Sequence, residues 1–98
     1  MTVSAPKGAK ITYTAVYLDA EGNVAEPPAG VTLTWSTTDA TVETLEATTG
    51  TSVVADVVGA LNSSASVSVT DGTLTAAPDV LTVVAGPAAS LTIQATVA

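Results

Sequence analysis

The strongest constraint on this chain is an alternation of apolar and polar residues with a period of two. It starts, breaks at a turn signal and starts again along nearly the whole length. A β-strand turns successive side chains to opposite faces, so each such segment has one face that needs burial and one that needs water. "KITYTAVYLD" (Lys10–Asp19) places Ile11, Tyr13, Ala15 and Tyr17 on one face and Thr12, Thr14, Val16 and Leu18 on the other. "VTLTWST", beginning at Val31, turns Val31, Leu33 and Trp35 inward and Thr32, Thr34 and Ser36 outward. "TVETLEA" (Thr41–Ala47) and "SVVADVV" (Ser52–Val58) read as two strands around a turn at Gly50, and "SASVSVT" (Ser64–Thr70) turns Val67 and Val69 inward. "DVLTVVA" follows Pro78. After Gly86-Pro87 comes "SLTIQATV", with Leu91, Ile93, Ala95 and Val97 on one face.

The breaks between these segments have a chemistry of their own. "AEGN" (Ala20–Asn23) supplies turn residues, with Gly22 free to take positive φ. "EPPAG" (Glu26–Gly30) cannot be a central strand, because Pro27 and Pro28 lack ladder donors. Asp71-Gly72 predicts a two-residue type I′ hairpin turn leading into "TLTA". Thr and Val, whose branched Cβ suits a pleated surface, are abundant, while Leu, Glu, Lys and Arg are sparse. Ninety-eight residues make one domain. Seven or eight short strands with turns roughly every 8–12 residues predict an all-β sandwich with Greek-key connections, a short barrel being the competing architecture. Trp35, the only Trp, is the predicted central core residue, with Val67 and Val69 beside it. A candidate first strand, "TVSA" (Thr2–Ala5), is short and is followed by Pro6 and Gly8.

Residues in the first half resemble a known family. "ITYTAVYLDAEGNVAEPPAGVTLTWSTTDATV" is similar to the second and third strands of bacterial immunoglobulin-like domains. These are the modules of invasin- and intimin-type adhesins and of many bacteriophage virion proteins. In that family an alternating strand ends in Asp-x-x-Gly-Asn, here Asp19, Gly22 and Asn23. A Val-rich strand follows, then Trp or Phe, here Trp35, and a Ser/Thr/Asp stretch, here "STTDATV". "VVAGPAASLTI" resembles the seam between consecutive repeats. The middle of the chain, "ETLEATTGTSVVADVVGALNSSA", matches only loosely. The resemblance implies an immunoglobulin-like sandwich and a structural or binding role, and carries no catalytic residues.

Chemistry has little to work with in this composition. There is no His and no Cys, which excludes Cys/His metal sites and disulfides, and the two Lys, Lys7 and Lys10, stand near the start. Glu43 with Glu46, and Asp19 with Glu21, are paired carboxylates that read as a solvated acidic face. "DAEGN" offers oxygens at Asp19, Glu21 and Asn23, but it lacks the remaining ligands of a calcium loop and reads as a hairpin turn. Asn62–Ser64 fits a glycosylation sequon and reads as a polar turn. Tyr13, Tyr17 and Trp35 read as core and sheet-face residues ahead of a carbohydrate platform. No cofactor is expected.

A formal net charge of −7, from 2 basic and 9 acidic residues, repels phosphate and argues against nucleic acid or an anionic bilayer as partner. No apolar run approaches the roughly 20 residues needed to span a membrane as a helix, and no secretory signal opens the chain. The initial Met reads as the start of a whole gene product. With these points, the resemblance to bacterial immunoglobulin-like domains implies a non-enzymatic decoration protein bound to capsid or tail subunits at a virion surface. The alternative is a single repeat of an adhesin at a bacterial cell surface. Residues 1–86 are expected to form the sandwich. Residues 87–98 are an extra strand that either completes it or docks to a neighbour, which could be another copy. The predicted docking residues are Lys7 and Lys10, the only positive charges, together with Leu91, Ile93 and Val97 of the extra strand.

Overall fold

A computed structural model describes residues 2 to 97; Met1 and Ala98, the outer ends of the two expected segments, lie outside the described residues. The fold is all-β. Among the described residues seven strands form in chain order: β1 (Thr2–Pro6), β2 (Lys10–Thr14), β3 (Thr34–Thr37), β4 (Glu43–Leu45), β5 (Ser52–Val57), β6 (Ser64–Thr70) and β7 (Asp79–Val84). They make two sheets, one with the order β1-β7-β6-β3 and one with the order β2-β5-β4. Neighbours are antiparallel except β1 and β7, which run parallel from Thr2↔Val80 to Pro6↔Val84.

The inward faces of the two sheets meet in two apolar clusters. Ala5, Val42, Val57, Ala65, Leu81 and Val83 form one; Tyr13, Trp35, Val53, Ala55, Val67 and Val69 form the other, and Ile11 packs against both. Each cluster draws on both sheets, which is what makes the arrangement a sandwich. Trp35 is buried in the second cluster, while the most completely covered side chains include Leu81, Val57 and Val83 of the first. Its indole Nε1 donates to the Gly50 carbonyl at 2.7 Å, and its ring centroid lies 6.3 Å from that of Tyr13.

β2 and β3 are shorter than their alternating sequences, and each is cut off where its partner runs out. β2 pairs with β5 as far as Thr14↔Ser52, and β5 begins at Ser52. The rest of the expected strand, Ala15–Leu18, therefore has no ladder, only a Leu18↔Val24 bridge that closes the Asp19–Asn23 hairpin. β3 starts at Thr34 because β6 ends at its partner, Thr70. Val31, expected inward, is consequently 39% exposed. After Asp71-Gly72 the chain makes only a Thr70↔Thr75 bridge. A type I′ turn needs positive φ at both central residues. Gly72 has it, but among the described non-glycine residues only Asn62 does. Asp71 instead accepts the N–H groups of Thr73 and Leu74 on its carboxylate, which makes a wider loop.

Candidate functional site

Three features of the surface and interior carry chemistry: an open groove beside β2, the segment beyond Gly86, and a buried carboxylate. The groove follows from the shortened strands. Past Thr14 the chain keeps its alternating side chains but loses its partner, so Val16 and Leu18 stand exposed, as does Leu74 of the Asp71 loop. Together with Tyr13, Val67 and Val69 they line a groove of about 590 Å³ that opens at the edge of the sandwich. Tyr17 ties its two sides together, donating from its hydroxyl to Asp71 Oδ2 at 2.6 Å. That bond holds the Asp71 carboxyl below the ordinary aspartate range, aided by the backbone N–H groups of Leu74 and Thr73. The sequence placed Val16 and Leu18 on the face opposite Tyr13 and Tyr17, and nothing in it marked them as walls of a groove.

The segment from Gly86 to Val97 pairs with neither sheet. Leu91, Ile93 and Val97 are 96%, 94% and 96% exposed, and none of them belongs to either apolar cluster. The molecule is 68 Å long and 28 Å by 19 Å across. Its longest strand, β6, has 7 residues and so spans only about 23 Å. Residues 86–97, extended, can supply up to about 40 Å of the remainder. The radius of gyration, 17.7 Å, is well above the roughly 13 Å of a compact domain this size.

The predicted positive docking end is altered by Lys10. Its ammonium donates to Asp56 Oδ1 at 2.6 Å and to Glu46 Oε2 at 2.8 Å, across the outer face of the β2-β5-β4 sheet. These carboxylates, Asp56 first, hold the Lys10 pKa above the usual lysine range. Lys10 is thus engaged within the chain, whereas Lys7, in the exposed turn between β1 and β2, has no ion pair among the described residues.

The paired-carboxylate reading also needs correction. Glu46 faces water and Lys10, but Glu43 is 0% exposed. β4 puts Glu43 and Leu45 on its inward side with Thr44 outward, and Val42 is buried as well, from the loop just before the strand. Tyr13 and Glu43 flank β5 on opposite sides, and the Tyr13 hydroxyl donates to Glu43 Oε1 at 2.8 Å. Oε2 has no partner, and neither has the buried Asp79 Oδ1. Desolvation raises the Glu43 pKa most and the negative Asp79 adds to it, while the Tyr13 hydrogen bond works the other way. Tyr13 is likewise pushed above the ordinary tyrosine range, by burial first and then by Glu43. The sequence around this buried Glu, "TVETLEA", holds a second Glu at Glu46 and an apolar residue on each face, so it does not mark Glu43 as the inward one.

The Asp19 hairpin consumes its own oxygens. Asp19 Oδ1 accepts the N–H groups of Glu21 and Asn23 at 2.9 Å each, which lowers its pKa. No group of three or more metal-ligating side chains occurs among the described residues. Tyr13 and Trp35 are buried and Tyr17 is half-buried, so the three aromatics do not form an exposed platform. No helix of the described residues is long and apolar enough to cross a membrane. Comparison with protein-family models, curated proteins and solved structures finds no match to this chain.

Proposed function

We propose that this chain is a non-enzymatic structural protein of the bacterial immunoglobulin-like kind, which decorates the capsid or tail of a bacteriophage. The observation that carries this reading is the segment beyond Gly86. It is strand-patterned, free of charged residues and exposed on its apolar face, and it leaves a sandwich whose formal charge is −7. An uncharged arm on an acidic body can lie against another protein without bringing its own repulsion with it. Strand addition to an open sheet edge would give such an arm main-chain hydrogen bonds, with specificity from its alternate side chains. Function here is adhesion by surface complementarity, with no turnover. Because Lys10 is engaged with Asp56 and Glu46, the docking chemistry rests on Leu91, Ile93 and Val97, with Lys7 as an auxiliary contact.

The second reading, a repeat of a surface adhesin, is favoured by one feature. "VVAGPAASLTI" resembles the seam between repeats, so "SLTIQATV" would open a following domain. Quantitative mass spectrometry of the organism's virion and cell-envelope fractions separates the two. Peptides of this chain in fixed ratio to a capsid or tail subunit support decoration. Peptides confined to the envelope fraction support the adhesin and end the virion reading.

A further inference from the structure

We propose that Ser90–Val97 of one copy of this chain adds as a strand to the outer edge of β2 in a second copy, so that copies join head to tail. This goes beyond the decoration reading, since it joins copies whether or not a particle carries them. The acceptor is defined by backbone geometry. β2 is an edge strand. Val57 N–H donates to the Ala9 carbonyl and Ala15 N–H donates to the Thr51 carbonyl, so Ala9 and Ala15 turn their backbone groups toward β5 and its approach. The antiparallel alternation then turns those of Thr12 and Thr14 outward, where no strand of the described residues lies.

The other edges are poorer acceptors. β1 is closed at one end by Pro6, which has no N–H. β3 is engaged on its outer side, with Trp35 N–H donating to the Thr48 carbonyl and Thr34 bridging to Thr49. β4 has only 3 residues. Beside β2 an unpaired edge adjoins an apolar groove with exposed Val16, Leu18 and Leu74. The donor matches it: Leu91, Ile93, Ala95 and Val97 share one face, and the segment is uncharged.

Donor and acceptor also lie at opposite ends of the sandwich. Gly86 approaches Pro6, where β1 and β7 end, whereas the groove reaches Leu74–Asp79, where β7 begins. An arm at one end and its socket at the other make a heterologous contact, which propagates as a chain of copies rather than closing as a symmetric pair.

Sedimentation of the intact protein from micromolar to millimolar concentration tests this, together with Ile93→Asp in the arm and Val16→Asp in the groove. The wild type should grow past a dimer as concentration rises. Each variant alone should associate at least tenfold more weakly while keeping its circular dichroism and melting temperature. An equimolar mixture of the two should form one-to-one dimers and stop there, because one variant retains only a working groove and the other only a working arm. Should Val16→Asp fail to fold, Leu74→Asp takes its place. A wild type that stays monomeric throughout overturns the proposal, even if it binds some other protein. So does undiminished association of Ile93→Asp, a mixture that forms no dimer, or a wild type that halts at a closed dimer.

Discussion

β7 and the segment Ser90–Val97 are near copies in pattern and opposites in outcome. Both alternate apolar and polar residues and both lack a helix-forming period. Leu81 and Val83 of β7 are sealed inside, whereas Leu91, Ile93 and Val97 stand in water. The difference lies in their neighbours. β7 has β1 on one side and β6 on the other, and the second sheet above it, while Ser90–Val97 has left the sandwich at the Gly86-Pro87 joint. Alternation therefore states that a face needs cover without saying which surface provides it. Within the sandwich the cover is internal; for the arm, a second copy supplies it in the arrangement proposed above.

The largest way to break this comparison is in the apolar cluster that does not contain Leu81. Trp35 fills the Tyr13–Val53–Val69 cluster and ties itself to Gly50 through its indole N–H. Trp35→Ala should cost about 3–5 kcal/mol, from lost burial and the cavity left behind. That is a large share of the roughly 5–15 kcal/mol holding a domain together. Urea unfolding followed by circular dichroism reads it. A variant as stable as the parent would mean that the cluster does not hold the two sheets together.

The sharpest test of the comparison itself exchanges the same chemistry between the two regions. Leu81→Ala, in a fully covered site, should destabilise by about 2–5 kcal/mol. Leu91→Ala, on the exposed arm, should stay within about 0.5 kcal/mol of the parent in dilute solution. Equal losses at the two positions would show that the arm is buried in the isolated molecule.

Much of the fold was legible because β-strand burial has a simple sequence signature. β6 was read at its true ends, Ser64 and Thr70, and β5 within one residue, because a clean alternation there coincides with full pairing. Strand ends set by a partner were not legible. Nothing in "KITYTAVYLD" records that β5 starts at Ser52, so the loss of the ladder after Thr14, and the groove it opens, could not be read locally. Glu43 escaped for a related reason. "TVETLEA" carries an apolar residue on each face, Val42 on one and Leu45 on the other, so the alternation did not choose between them. In the structure both enter the core region, Val42 from the preceding loop, and Glu43 is taken inside with Leu45.

Glu43 gives a smaller and pH-dependent effect. Burial, with the Asp79 charge behind it, raises its folded-state pKa above the ordinary glutamate range, against the pull of Tyr13. The folded chain therefore holds this proton more tightly than the unfolded chain. Its contribution to stability is complete below the ordinary glutamate pKa and is lost as pH rises through the raised folded value. Glu43→Gln removes the buried charge while keeping a carbonyl to accept from Tyr13 Oη. It should stabilise the fold at neutral pH by on the order of 1 kcal/mol, with the advantage vanishing in acid. Melting temperatures of both proteins across that range measure it. An advantage that grew on acidification would reverse the sign and place Glu43 in a net favourable ion environment.

The smallest expected effect is a null that matters. Removing residues 87–98 takes away the whole arm but no contact among the core residues, since none of Leu91, Ile93 or Val97 belongs to either cluster. At concentrations where the parent is monomeric, the truncated chain should melt within a degree or two, corresponding to less than about 0.5 kcal/mol. At high concentration the two should part, because association stabilises only the form that can associate, and the parent's melting temperature should climb with concentration while that of the truncated chain stays flat. The two dilutions separate the roles that alternation left open. A truncated chain that melts far lower even when dilute makes Ser90–Val97 an eighth strand of the home sandwich. A flat parent curve at every concentration leaves the arm without a partner copy. Only a coincidence at low concentration followed by divergence at high concentration is what an arm that finds its cover on a neighbour produces.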